Sequence, residues 1–161
     1  RSGHVDTYST RNTRFTHIAG WVFHIGLFMT IFLLTPHIEV FKSIIGFAWP
    51  ALPTPIIDFA TVIAMITMLA MLFHRITNPV LKYLSTGQDF VVWALTFTPL
   101  LTGYMAYHHL FFSYTLLLGL HILSVCLLLV FFPFTKLTHA VTLFFARWYN
   151  GMMAGEKGVQ Q

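Results

Sequence analysis

The sequence predicts an all-α integral membrane protein: a four-helix bundle with both termini cytoplasmic and a C-terminal interfacial helix. Three observations lead there. Of the 161 residues, 57% are hydrophobic and only 9% are charged, where a soluble domain has about 25% charged. Four apolar stretches approach the roughly 20 residues that carry a helix across a hydrocarbon core of about 30 Å. The basic residues are also lopsided. With four spans, Arg1, Arg11, Arg14, Arg75, Lys82, Lys136, Arg147 and Lys157 fall on one side and Lys42 alone on the other. That assigns the first side to the cytoplasm. The net charge of +4 is then a topology signal, and no nucleic-acid partner is expected.

Residues 1–14 form a polar arm, with His4 read as solvent-exposed. The opening Arg1 leaves room for a preceding segment, and no secretory leader is visible. Residues 15–152 make up the transmembrane domain, and 153–161 are a polar tail. The first span covers 15–35, holds His17 and His24, and stops at Pro36, with His37 just beyond. Residues 38–55 read as an interfacial connection, where Pro50, Pro53 and Pro55 break regular structure and Trp49 suits an aromatic belt. The second span, 56–73, ends on His74 and Arg75, and Asn78-Pro79 marks a turn. Residues 80–87 read as a short amphipathic loop. The third span, 89–107, contains Pro99 and ends at His108 and His109; the fourth, 111–133, follows so closely that the two form an antiparallel hairpin. Residues 140–152 read as a surface-lying helix with Arg147, Trp148 and Tyr149 at headgroup level. Cys126 is the only cysteine, so a disulfide framework or a four-cysteine metal site within this chain is excluded.

Nine histidines need a separate account. An imidazole inside an apolar span is costly unless it is paired or ligated, so it marks function by default. His121 and His139 are 18 residues apart. On a continuous helix that is about five turns and about 27 Å, which puts both rings on one face at two depths. Pro133 is expected to bend the helix between them. His121 lies about 15 Å in from the outer edge, and His139 just past the cytoplasmic end. His24 and His37 offer a matching inner and outer histidine on the first span. Their 13-residue interval is about 220° on a straight helix, so they share a face only if the helix bends or unwinds before Pro36. Facing histidines at matching depths suit two bis-histidine haems stacked across the bilayer. A structural zinc would want four ligands in one place. A proton relay would want carboxylates mid-membrane, whereas Asp58 and Asp89 lie near span ends.

Two motifs carry a resemblance over roughly residues 15–150: FHIG at 23–26 and LHxxxxxLLLxFFPFTKLTH at 120–139. The chain resembles the gamma subunit of respiratory nitrate reductases, a dihaem cytochrome b family. It is closer still to the membrane cytochrome b subunits of sulfite-reductase-linked and heterodisulfide-reductase-type complexes. The resemblance implies two b haems in a multi-pass protein of a prokaryotic inner membrane. It would pass electrons between a quinol/quinone pool and an iron–sulfur partner subunit. By motif, His24 and His139 match the pair nearer the cytoplasm, and His121 matches one ligand of the outer haem. At the position of that haem's second ligand this chain has Leu34; His37 is the first substitute and His109 the second. A quinone site could use His17, His74 or Lys82. Two other readings are a non-redox membrane anchor with one haem or none, and a histidine-lined metal or proton transporter.

Overall fold

The computed structural model describes the backbone of residues 3–156 and Gly158, with side chains from Thr13 to Glu156. The ends of the polar arm and tail, and the side chain of His4, lie outside the described residues. Seven α-helices follow one another: α1 Gly3–Leu33, α2 Thr35–Ile45, α3 Thr54–Thr77, α4 Pro79–Leu84, α5 Gly87–Tyr107, α6 Tyr114–Phe131 and α7 His139–Glu156. Two 3₁₀ turns, Phe132–Phe134 and Lys136–Thr138, link α6 to α7. Among the described residues there is no strand. Four stretches are long and apolar enough to cross a membrane: Thr13–Leu33, Thr54–Thr77, Gly87–Tyr107 and Tyr114–Phe134. Between 11% and 28% of the most apolar 18-residue window in each is buried within the chain, so most of the apolar surface faces outward. Exposed phenylalanines such as Phe59, Phe73 and Phe111 form a coat that only a bilayer or a partner can solvate. The chain is a multi-pass membrane protein.

The helices pack in series, α1 on α3, α3 on α5 and α5 on α6, while α1 and α6 are not closely packed on each other. The core lies in the middle of this arc, where Phe23, Ala64, Met68 and Leu100 are buried with Leu27, Met65, Trp93 and Phe97 around them. Trp93 Nε1–H donates to the Met68 carbonyl at 2.9 Å. Between α1 and α3, small residues allow a close approach, the usual device where lipid is as apolar as leucine. A Cβ on Gly26 would meet the Ala60 carbonyl oxygen at 2.7 Å and the Ala64 Cβ at 2.9 Å. One turn on, Thr30 and Thr61 hydroxyls bond across the same seam at 2.7 Å. Gly26→Ala is therefore expected to force backbone apart, at a cost of about 1–3 kcal/mol. Thermal unfolding in detergent measures this, and an unchanged midpoint would show that the seam tolerates a methyl group.

Several elements differ from the sequence expectation. The polar arm is not separate from the first span, because α1 is helical from Gly3. Residues 38–55 are not merely a connection. Thr35–Ile45 is a helix with Pro36 in its first turn and Gly46 at φ +85° closing it, the normal positions for those two residues. Trp49 caps α1, its Nε1–H donating to the Phe32 carbonyl at 2.6 Å. Residues 80–87 contain most of a six-residue helix, Pro79–Leu84, begun by Asn78, whose side chain accepts from the Val80 and Leu81 amides. The fourth span starts at Tyr114, not 111, because His109 and Phe111 take positive φ in the hairpin turn. His121 and His139 do not share one continuous helix. Pro133 lacks a donor, and Thr135 is extended at φ −124°, ψ 173°, so the chain breaks into two tight turns where a bend was expected.

Candidate functional site

The bundle brings the four predicted histidines together in two pairs. His24 on α1 faces His139 at the start of α7, with ring centroids 6.1 Å apart and planes crossed at 88°. His37 on α2 faces His121 on α6, also at 6.1 Å, with planes only 22° apart. The pairs lie at two levels of α1, with the His24 ring on the Gly20 carbonyl and the His37 ring on the Thr30 carbonyl.

The break after α1 is what makes the second pair possible. α1 ends at Leu33, Leu34 is extended at φ −82°, ψ 130°, and α2 then starts in a new direction. The azimuth of His37 therefore no longer follows from that of His24. Its Nδ1–H donates to the Thr30 carbonyl at 2.8 Å. That carbonyl is one of the four that a helix C-terminus leaves without an intrahelical donor, so the imidazole caps α1 while its other edge is free.

The same arrangement recurs at each ring. His24 Nδ1–H donates to the Gly20 carbonyl at 2.6 Å, His121 to the Pro99 carbonyl at 3.0 Å and His139 to the Lys136 carbonyl at 2.7 Å. A carbonyl only accepts, so Nδ1 carries the hydrogen and the Nε2 lone pair of the neutral ring is available. A backbone carbonyl on the far nitrogen is the usual support of a metal-ligating histidine. No hydrogen bond joins the rings of either pair.

His121 has the most elaborate support. Thr102 Oγ1 lies 3.4 Å from its Nδ1 and 3.3 Å from Ser124 Oγ, and Ser124 donates to the His121 carbonyl at 2.7 Å. Gly103 leaves room for the ring: a Cβ there would stand 2.8 Å from His121 Cε1 and 3.0 Å from Nδ1. Beside His24 the wall is aromatic, with Phe28 at 6.4 Å from its ring, then Phe32 and Phe41 in sequence.

The remaining described histidines are placed otherwise. His109, the second substitute for His37, is at φ +54° with its ring against Tyr114 at 5.0 Å; His37 is the residue that faces His121. His108 Nε2 pairs with Asp58 Oδ1 at 3.2 Å, tying α5 to α3. His17 and Lys82 are exposed. His74 is half-buried against Phe15 at 4.8 Å, and its Nε2 is a buried atom with no hydrogen-bond partner. Sequence reasoning missed Gly103, Thr102, Ser124 and the carbonyls of Pro99 and Lys136, because none carries a signal until the facing helix is known.

Among the described residues, no three of His, Cys, Asp or Glu gather as a protein-only metal site. The pairs suit a different coordination. With a metal–nitrogen bond of about 2 Å and a centroid about 1 Å behind each nitrogen, two axial imidazoles on one metal have centroids about 6 Å apart. The observed 6.1 Å in both pairs matches that span.

No protein-family model matches the chain, and no solved structure matches it. A curated protein of Nitratidesulfovibrio vulgaris strain Hildenborough, described there as "Protein", is 36% identical over 146 residues. The match covers 91% of this chain and 64% of that protein, so this chain spans less than two thirds of its relative's length.

Proposed function

We propose that the protein is the membrane-embedded cytochrome b subunit of a respiratory redox complex. His24 with His139, and His37 with His121, would be the axial ligands of two b haems. The observation that carries this reading is the pair of 6.1 Å imidazole spacings, each ring with Nδ1 tied to a backbone carbonyl. When bound, the haems supply reversible one-electron transfer.

The chain's own contribution is geometric. The four carbonyls hold each tautomer and ring plane, and Gly103 keeps His121 free to turn toward its partner. Phe23 and Phe28, with rings 5.0 and 6.4 Å from that of His24, give it an apolar wall. Gly20 and Thr30, whose carbonyls hold the His24 and His37 rings, lie ten residues apart on α1, about 15 Å of rise, so the two centres would sit at different depths. With the basic residues cytoplasmic, the His24–His139 pair would be the inner one and the membrane the inner membrane of a prokaryote; the bacterial source of the relative supports the prokaryotic part of that reading alone. The substrate is a quinol or quinone, and an iron–sulfur subunit is the partner on the cytoplasmic side. His17, His74 and Lys82 are the groups near the cytoplasmic edge that could hold a quinone head.

The visible spectrum of the purified protein tests this. Split b-type bands are expected in the reduced-minus-oxidised difference, and His121→Ala should remove one component, close to half the amplitude. A colourless preparation would overturn the proposal and favour an anchor or a transporter.

A further inference from the structure

We infer that Asp89 is the positioning residue for the imidazole of His139. The inference rests on the reading of His24 and His139 as an axial pair. His139 is the exposed member of the four, and nothing in α6 holds it, because that helix ends at Phe131. It follows two 3₁₀ turns, and α7 after it packs closely only on the second of them. The ring's place is therefore set by whatever holds residues 132–138.

That anchor is on α5. Asp89 Oδ1 accepts from Lys136 Nζ at 2.8 Å, and the Lys136 carbonyl accepts from His139 Nδ1 at 2.7 Å. One residue thus ties the segment to Asp89 through its side chain and orients the imidazole through its main chain. A second tether runs alongside, from Gln88 Nε2 to the Phe134 carbonyl at 3.3 Å. Asp89 is itself fixed. Its Oδ2 accepts from the Thr86 amide at 2.8 Å and the Thr86 hydroxyl at 3.0 Å, which closes the cap of α5. Arg75 Nη1 of α3 stands 3.5 Å from the same oxygen. Its side chain is 10% exposed, while that of Lys136 is 55% exposed.

A bridge with one arm in solvent adds little to overall stability. Its consequence is orientation: a carboxylate locked by a helix cap and an arginine gives the Lys136 ammonium one place to rest. The chain from Arg75 through Asp89 and Lys136 to His139 joins α3 and α5 to a ligand that neither helix contains.

Two variants of the full chain separate this role from simple capping. Asp89→Asn keeps an oxygen for the Thr86 amide but weakens the lysine bridge; Lys136→Met removes the bridge and leaves the cap intact. Backbone hydrogen exchange over residues 132–139 is expected to speed up at least several-fold in both, with α5 unchanged. The ferric signal and midpoint potential of the inner haem should shift in both, with the outer haem unaffected and Asp89→Glu restoring most of the difference. Exchange that rises in Asp89→Asn but not in Lys136→Met would overturn the inference and leave Asp89 as a cap alone. So would equal changes at both haems. Should the wild type bind no haem, the cytochrome reading fails, and the exchange measurement still decides whether Asp89 holds this segment.

Discussion

Oxidised protein is expected to show two unlike low-spin ferric signals, and single histidine replacements should delete them one at a time. The cause is the difference in ring planes. Each axial imidazole donates π density along one direction in the plane of the macrocycle. When the two rings are nearly parallel, as in the 22° pair of His37 and His121, their effects add. The two iron d orbitals involved are then well split, and the signal is an ordinary rhombic one. When the rings are crossed, as in the 88° pair of His24 and His139, the effects cancel. The orbitals come close in energy, and the signal becomes strongly anisotropic with one large g value. Axial ligation is the first lever a protein has over a haem, and on the proposed reading the two histidine pairs would set it in opposite ways. His24→Ala or His139→Ala should abolish the large-g signal and keep the rhombic one; His37→Ala or His121→Ala should do the reverse. Electron paramagnetic resonance on membranes reads this directly. Two identical signals, or survival of the rhombic signal without His37, would reject the pairing.

The second large effect is at Gly103. A Cβ there would come within 2.8 Å of the His121 ring. Unlike Gly26, whose obstacle is the Ala60 backbone, Gly103 faces the far end of a side chain. The ring can move where a helix cannot. Gly103→Val is therefore expected to push the imidazole off the Pro99 carbonyl and, on the proposed reading, to remove the outer haem almost completely. The thermal midpoint should change by no more than about 1 kcal/mol equivalent, because the helices need not separate. The inner haem should keep its full amplitude. Loss of both haems, or a collapse in stability like that expected at Gly26, would show that the valine acts on packing and not on the ligand.

The spans were legible because they rest on length and composition, which a bilayer constrains tightly. His24, His121 and His139 were legible too, as imidazoles in or beside apolar runs. The pairing of His37 with His121 was legible only in part. A straight helix puts His37 far around from His24, and what resets its direction is one extended residue, Leu34. That break had a local signal in Pro36, which belongs in the first turn of a new helix. Gly46 at the other end marked where that helix would stop. The interruption between Phe131 and His139 was harder to read. Pro133 announced a disturbance, but whether a helix bends or breaks there depends on Thr135 and on the hold of Asp89 over Lys136. Gly103 could not be read at all. Its meaning is the ring that fills the space above it, and that ring belongs to a helix 18 residues further along the chain.

Rods joined only neighbour to neighbour in a curve leave the opening between the first and the last to be set by three crossing angles added together. A small rotation where Met68 meets Trp93, in the middle of the series, is therefore magnified at the mouth, as the tips of tongs move further than the rivet. On the proposed haem reading, visible spectra should then register quiet changes in the central packing that a melting curve would pass over.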